Sequence, residues 1–126
     1  PRGYHSLRME LHPGLSGSAT LVVGEEHTAP RVGSGRVHVL ATPVMINLIE
    51  AAALKAIEHL LPAGYQSLGT HLDVRHIAAI PVGMRAVARA EVAKATGVLV
   101  GDSLETSTQE VNSKRRNRAS VIFLVM

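Results

Sequence analysis

The sequence predicts an α+β layer, one long helix packed on an antiparallel sheet, and three observations lead there. A stretch of good helix formers without internal glycine runs from Pro43 to about Leu60. Two strand-like segments follow it, Tyr65–Ile80 and Val82–Val92. The chain is 46% hydrophobic but only 2% aromatic, so its core is built from Ala, Val, Leu and Ile, small enough for a helix to lie close on a sheet. At 126 residues it is long enough for one core and too short for two, and residues 1–126 are expected to form a single domain.

Each element has its own signal. Pro1–Gly17 has little periodicity and ends in the turn-like Pro13, Gly14, Ser16 and Gly17, which marks a lead-in. Ser18–Val23 carries Thr20, Val22 and Val23 and stops at Gly24, the pattern of a first strand. Glu25–Gly35, with Pro30, Gly33 and Gly35, reads as a loop, and Val37–Leu40 as a short extended piece. Thr42 suits the N-cap of the helix and Pro43 its first turn; Pro62 and Gly64 end it. Pro81 and Gly83 mark a turn, after which Met84, Ala86, Ala88 and Ala90 alternate with Arg85, Val87, Arg89 and Glu91. Val98–Val100 and Ser120–Val125 are short β-prone runs around a polar, basic middle.

Composition removes several kinds of chemistry. Without cysteine there are no disulfides, thiolate metal sites or cysteine nucleophiles, so reactivity rests on Ser, Thr, His, Asp or Glu. No run reaches the roughly 18 apolar residues of a spanning helix, and the N-terminus lacks the order of a signal peptide, so a soluble, cytoplasmic protein is expected. The seven histidines form no ligand pair with a matching acid, and Gly33–Gly35 is too short for a phosphate cradle, so neither metal nor cofactor is expected. The net charge is +3, with Lys114, Arg115, Arg116 and Arg118 clustered. That cluster is either a solvated turn or a contact for an anion such as coenzyme A. Nucleic acid is disfavoured, because Tyr4, Tyr65 and Phe123 make no stacking platform.

Three residues stand out. Glu50 falls outside the polar arc of Asn47, Lys55, Glu58 and His59, between Leu54 and Ile57. A carboxylate there needs a partner or a solvated pocket, unless it simply reaches water at the edge of the polar face. His76 shares the even-numbered face of its strand with Leu72 and Val74, where a neutral imidazole serves either as a base or as a core residue bonded to a carbonyl. Thr42, even as a cap, holds its hydroxyl where helix N–H groups and the positive end of the helix dipole converge. Eight residues, about 12 Å at 1.5 Å per residue, separate it from Glu50, so one helix cannot join the two directly. Gly64 and Gly69 are positions for a turn, a bulge or close approach of backbone to a ligand.

EEHTAP at Glu25–Pro30, GSG at Gly33–Gly35, VLATPVMINLIEAAA at Val39–Ala53 and GTHLDVRHIAAIPVGM at Gly69–Met84 together resemble the fluoroacetyl-CoA thioesterase-like family of hot-dog proteins, in order, from about Leu15 to Glu91. The resemblance implies a long helix wrapped by a curved antiparallel sheet, a homodimer, and acyl-CoA bound at its interface. It implies Thr42, Glu50 and His76 as the catalytic residues, Gly69 as a substrate-binding glycine, and no cofactor beyond the coenzyme A of the substrate. Two mechanisms follow from it. Either Glu50 attacks or activates water while Thr42 and His76 orient and stabilise charge, or Thr42 attacks with His76 as base and Glu50 as its orienter. The alternative function is a non-catalytic acyl-CoA-binding or regulatory module. The resemblance weakens after Glu91. Gly97–Val111 looks like the family's last portion with a strand lost, and residues 112–126 are atypical. Leu104, Glu105 and Ser107 stand where the family's polar site residues are sought, its arginine has no secure counterpart, and Ser120–Val125 is left to complete the sheet.

Overall fold

The computed structural model describes residues 11–96, 102–110 and 117–125. The expected strand at Val98–Val100, most of the lead-in, and Lys114–Arg116 lie outside them. Among the described residues five strands form one antiparallel sheet: β1 (Ser16–Val22), β2 (Ser67–Arg75), β3 (Arg85–Thr96), β4 (Asp102–Glu110) and β5 (Asn117–Val125), in the spatial order β1-β3-β4-β5-β2. One long helix, α2 (Thr42–Ile57), lies on one face and continues as a 3-10 turn over Glu58–Leu60.

The expected α+β layer is present, with differences at its joints. β4 pairs with β3 on one side and β5 on the other, and β5 joins the sheet to β2. The residues taken as atypical therefore supply an interior strand. The loop expected at 25–35 holds a 3-10 turn (Glu25–His27) and a four-residue helix, α1 (Ala29–Val32), with Pro30 in its first turn and Gly33 closing it at a φ of 88°. Pro81 and Gly83 do form the turn before β3, with Gly83 at a φ of 92°. The segment read as one strand from Tyr65 to Ile80 is shorter, because β2 ends at Arg75.

The core follows the alternation of β3. Ala86, Ala88, Ala90 and Val92 are buried against Ala52, Ala53, Ala56 and Ile57 of α2, while Ala119, Val121 and Phe123 extend the same face onto β5. Alanine opposing alanine lets the helix settle close to the sheet, and Gly17 marks where it is closest. Gly17 is not part of a turn but a rung of β1 opposite Ala90, and a Cβ there would lie 2.6 Å from the backbone nitrogen of Ala56. Helix backbone cannot yield as a side-chain tip can. Gly17→Ala is therefore expected to destabilise the fold by about 2 kcal/mol or more through overpacking, read as a lower midpoint of chemical denaturation. An unchanged midpoint would mean that helix and sheet separate freely.

Candidate active site

A short antiparallel contact joins the end of β2 to the start of α2. After Arg75 the chain leaves the sheet, and Ile80–Pro81 meets Val39–Leu40, with the Leu40 N–H donating to the Ile80 carbonyl at 2.8 Å and a bridge between Val39 and Pro81. On the other side, Leu40 bridges to Thr28, and the Ala41 N–H donates to the His27 carbonyl at 2.8 Å. The approach to the helix is thus held from both flanks. Ala41, in extended conformation, is the N-cap and makes no side-chain capping bond. Thr42, expected at the cap, is the first helical residue, so its hydroxyl has no capping duty.

That hydroxyl meets His76 instead. Thr42 Oγ1 lies 2.7 Å from His76 Nδ1, the separation of a hydroxyl and its base. His76 is half-buried one residue beyond β2. Burial holds its pKa below the ordinary value of 6.5, because the charged ring is poorly solvated, while a hydrogen bond with the Ala78 backbone works in the opposite direction. The ring is therefore a neutral base at neutral pH, next to a hydroxyl at a helix N-terminus.

Glu50 and Gly69 form a second cluster. The half-buried Glu50 lines a cavity of about 320 Å³ with Asn47, Leu54, Leu68, Gly69 and Phe123. A Cβ on Gly69 would stand 2.7 Å from Glu50 Oε2, so this glycine admits the carboxylate. Among the described residues no hydrogen bond or ion pair engages that carboxylate, which opens onto the cavity. Gly64, by contrast, sits at a φ of 86° with nothing near it, which makes it a turn.

Gly69 and His76 are seven positions apart, which in a regular strand puts them on opposite faces. The β2–β5 register shifts between Gly69 and His71, and this bulge brings both to the helix side. Before it Gly69 pairs with the buried Phe123; after it Leu72 pairs with Val121 and Val74 with Ala119. Leu72, expected on a covered apolar face, is 43% exposed, because α2 rests mainly over β1 and β3 and leaves β2 at the edge.

The chain brings Thr42 to His76 and Glu50 to Gly69, but not the two pairs into one hydrogen-bonded set. Leu104, Glu105 and Ser107 lie on β4, which β5 separates from β2 and the His76 end. Arg118 on β5 is the cross-strand partner of Arg75, so an exposed arginine stands one rung from His76, on the side where the sequence offers no secure counterpart for the family's arginine. Asn117 is the polar residue that the sequence does not single out: it is buried, and its side chain holds the backbone of Ile77 and Ala78. Its signal is a carboxamide in phase with the apolar Ala119, Val121 and Phe123. Among the described residues no three His, Asp or Glu side chains gather as a metal site would require.

One long helix lying on a five-stranded antiparallel sheet, with a hydroxyl–imidazole pair at the helix start, is the architecture of a hot-dog protein. A family model, the fluoroacetyl-CoA-specific thioesterase, matches residues 23–113, and the chain belongs to that family of thioester hydrolases. Among solved structures it is similar to the fluoroacetyl-CoA thioesterase FlK, at 24% identity over 92% of this chain and 88% of that one, with a TM-score of 0.79. A variant of FlK has also been solved in complex with acetyl-CoA. A thioesterase superfamily member from Thermus thermophilus is 24% identical over 91% of this chain and 83% of its own, with a TM-score of 0.80. A hot-dog-like protein from Thermanaerovibrio acidaminovorans reaches 0.80 at 15% identity, over 95% and 87%. No curated protein matches the sequence.

The lowered pKa of His76 makes a pH prediction. The native state keeps the ring neutral where the unfolded chain binds a proton, so the contribution of His76 to stability is lost as pH falls through about 6.5. Hydrolysis that uses the ring as a base should likewise decline only below that value. The rate–pH profile checks it: an acid limb with its midpoint above 6.5 is incompatible with this burial.

Proposed function

We propose that the chain hydrolyses a small acyl-CoA thioester to the free acid and coenzyme A at a site shared between the subunits of a homodimer. The observation that carries this reading is the 2.7 Å contact between the Thr42 hydroxyl and a neutral His76 at the first turn of α2. Thr42 Oγ1 attacks the thioester carbonyl as His76 takes its proton, and the carbonyl oxygen gains negative charge at the helix N-terminus. The C–S bond breaks, and His76 returns the proton to the departing thiolate. Water, activated by the same ring, then attacks the acyl-threonine, releases the acid and restores the hydroxyl. That FlK, as a variant, has been solved with acetyl-CoA supports a CoA thioester as the substrate.

Glu50 joins this chemistry across subunits. The length of helix between it and Thr42, about 12 Å, keeps it from the Thr42–His76 pair of its own chain. β2 is an edge strand, paired on one side only among the described residues, which suits its free edge to pairing with a second copy of itself. Such pairing sets the cavity around Glu50 beside the partner's reacting pair. A volume of about 320 Å³ is at the small end of ligand pockets and suits a short acyl group. No described helix is long and apolar enough to cross a membrane. The cysteine-free sequence and a CoA substrate fit a reducing, cytoplasmic setting.

The test is hydrolysis of short, branched, halogenated and aromatic acyl-CoAs by the purified protein, by Thr42→Ala and by Glu50→Gln, with size measured in solution. Glu50→Gln is expected to bind acyl-CoA like the parent and to hydrolyse it about 10²-fold more slowly, and Thr42→Ala to lose turnover on a similar scale. Parental rates in both variants, or a fully active monomer, would overturn the shared site. Binding without hydrolysis by the parent would make the protein a regulatory acyl-CoA binder.

A further inference from the structure

Asn117 is 2% exposed, a burial that a carboxamide tolerates only when its hydrogen bonds are met. It opens β5 and points the same way as the buried Ala119, Val121 and Phe123, towards the helix. Because Arg75 pairs with Arg118, the next rung of the ladder sets His76 opposite Asn117, and there backbone pairing stops. The side chain takes its place. Asn117 Oδ1 accepts from the N–H of Ile77 at 2.8 Å and of Ala78 at 2.7 Å, and Nδ2 donates to the Ala78 carbonyl at 3.0 Å. One rigid planar group thus fixes the position and the rotation of the peptides that follow His76. Ile77 follows His76 directly, so the gripped peptides fix the backbone from which the imidazole projects to set its Nδ1 against Thr42, and the Ala78 backbone favours the protonated ring against the effect of burial.

We propose that Asn117 is a positioning residue: by gripping the Ile77–Ala78 backbone it sets the rotation and tautomer with which the His76 ring meets Thr42. The proposal deepens, and rests on, the reading of Thr42 and His76 as the reacting pair. β2 and its pairing end at Arg75, so the segment that carries the half-buried imidazole has left the sheet, and the Asn117 side chain is what ties Ile77 and Ala78 back to it. The groups around the ring leave this part of the work to Asn117. The first turn of α2 offers no acid, residues 77–81 carry no titratable side chain, the adjacent rung carries Arg75 and Arg118, which donate rather than accept, and Glu110 stands opposite Asn117 on β4, with β5 between it and the strand that leads to His76.

Two substitutions test it, Asn117→Ala, which removes the bonds to Ile77 and Ala78, and Asn117→Asp, whose ionised form keeps both acceptances but cannot donate to the Ala78 carbonyl. The readouts are kcat and KM on the best acyl-CoA and the nitrogen chemical shifts of the His76 ring, which report its tautomer without requiring turnover. Both variants should lose about tenfold or more in kcat with KM within about threefold, as expected when a catalytic group is held less well. The ring should change from one dominant tautomer to a mixture. If Asn117→Ala does not fold, Asn117→Asp decides alone. A variant that is only less stable, with parental kcat and the parental tautomer in its folded fraction, would overturn the proposal and leave Asn117 a structural residue. Should the parent hydrolyse no acyl-CoA, the thioesterase reading falls, while the tautomer comparison still decides whether Asn117 orients the ring.

Discussion

The meeting of Val39–Leu40 with Ile80–Pro81 is the contact on which the arrangement of this site depends. Thr42 and His76 are 34 residues apart in the chain, and neither the helix nor the sheet alone would bring them together. The Leu40–Ile80 hydrogen bond places the end of one element against the beginning of the other, and the Thr28–Leu40 bridge braces it from behind. Thr28 is itself fully buried, its hydroxyl donating to the Glu25 carbonyl at 2.8 Å, so the brace has no unmet polar group. A helix start fixed in this way delivers two effects at one point, a convergent set of N–H groups and a hydroxyl released from capping.

The small side chains of the core serve the same end. Helix and sheet approach through alanines, and at Gly17 the separation leaves no space for a Cβ. At Gly69 the same economy admits a carboxylate in place of a methyl group, which puts a charge beside Phe123 while keeping it open to a solvated cavity. A carboxylate buried there without water or partner would cost several kcal/mol, and the cavity removes that penalty. Close packing and a polar site are thus joined through glycine, used once for backbone and once for a side-chain oxygen.

Much of this was legible in the chain. The helix from residue 43 and the inward Ala86, Ala88 and Ala90 follow from period alone, because each element buries one face and residue spacing reports which. Glu50 was recognisable as a carboxylate outside its polar arc. Resemblance in four ordered motifs supplied the family, and the family match over 23–113 bears it out. The last strand was harder to read: its β-prone run in the sequence, Ser120–Val125, is short and follows a basic stretch, and only the pairing of β5 with both β4 and β2 shows that it completes the sheet.

By itself the sequence determined one helix, a sheet of alternating strands, a core poor in aromatics, and the residue types from which chemistry could be built, since propensity and periodicity are local properties. Tertiary structure decided which of those residues meet. The bulge after Gly69 reverses the phase of β2, so Gly69 and His76 reach the same side although their spacing forbids it in a regular strand. The turn away from the sheet after Arg75 gives His76 to Thr42 rather than to Glu50, and the backbone groups exposed by that departure are met by a carboxamide 39 residues further on. Bulges, strand ends and long-range hydrogen bonds depend on what lies opposite in space, and one-dimensional spacing carries no record of it.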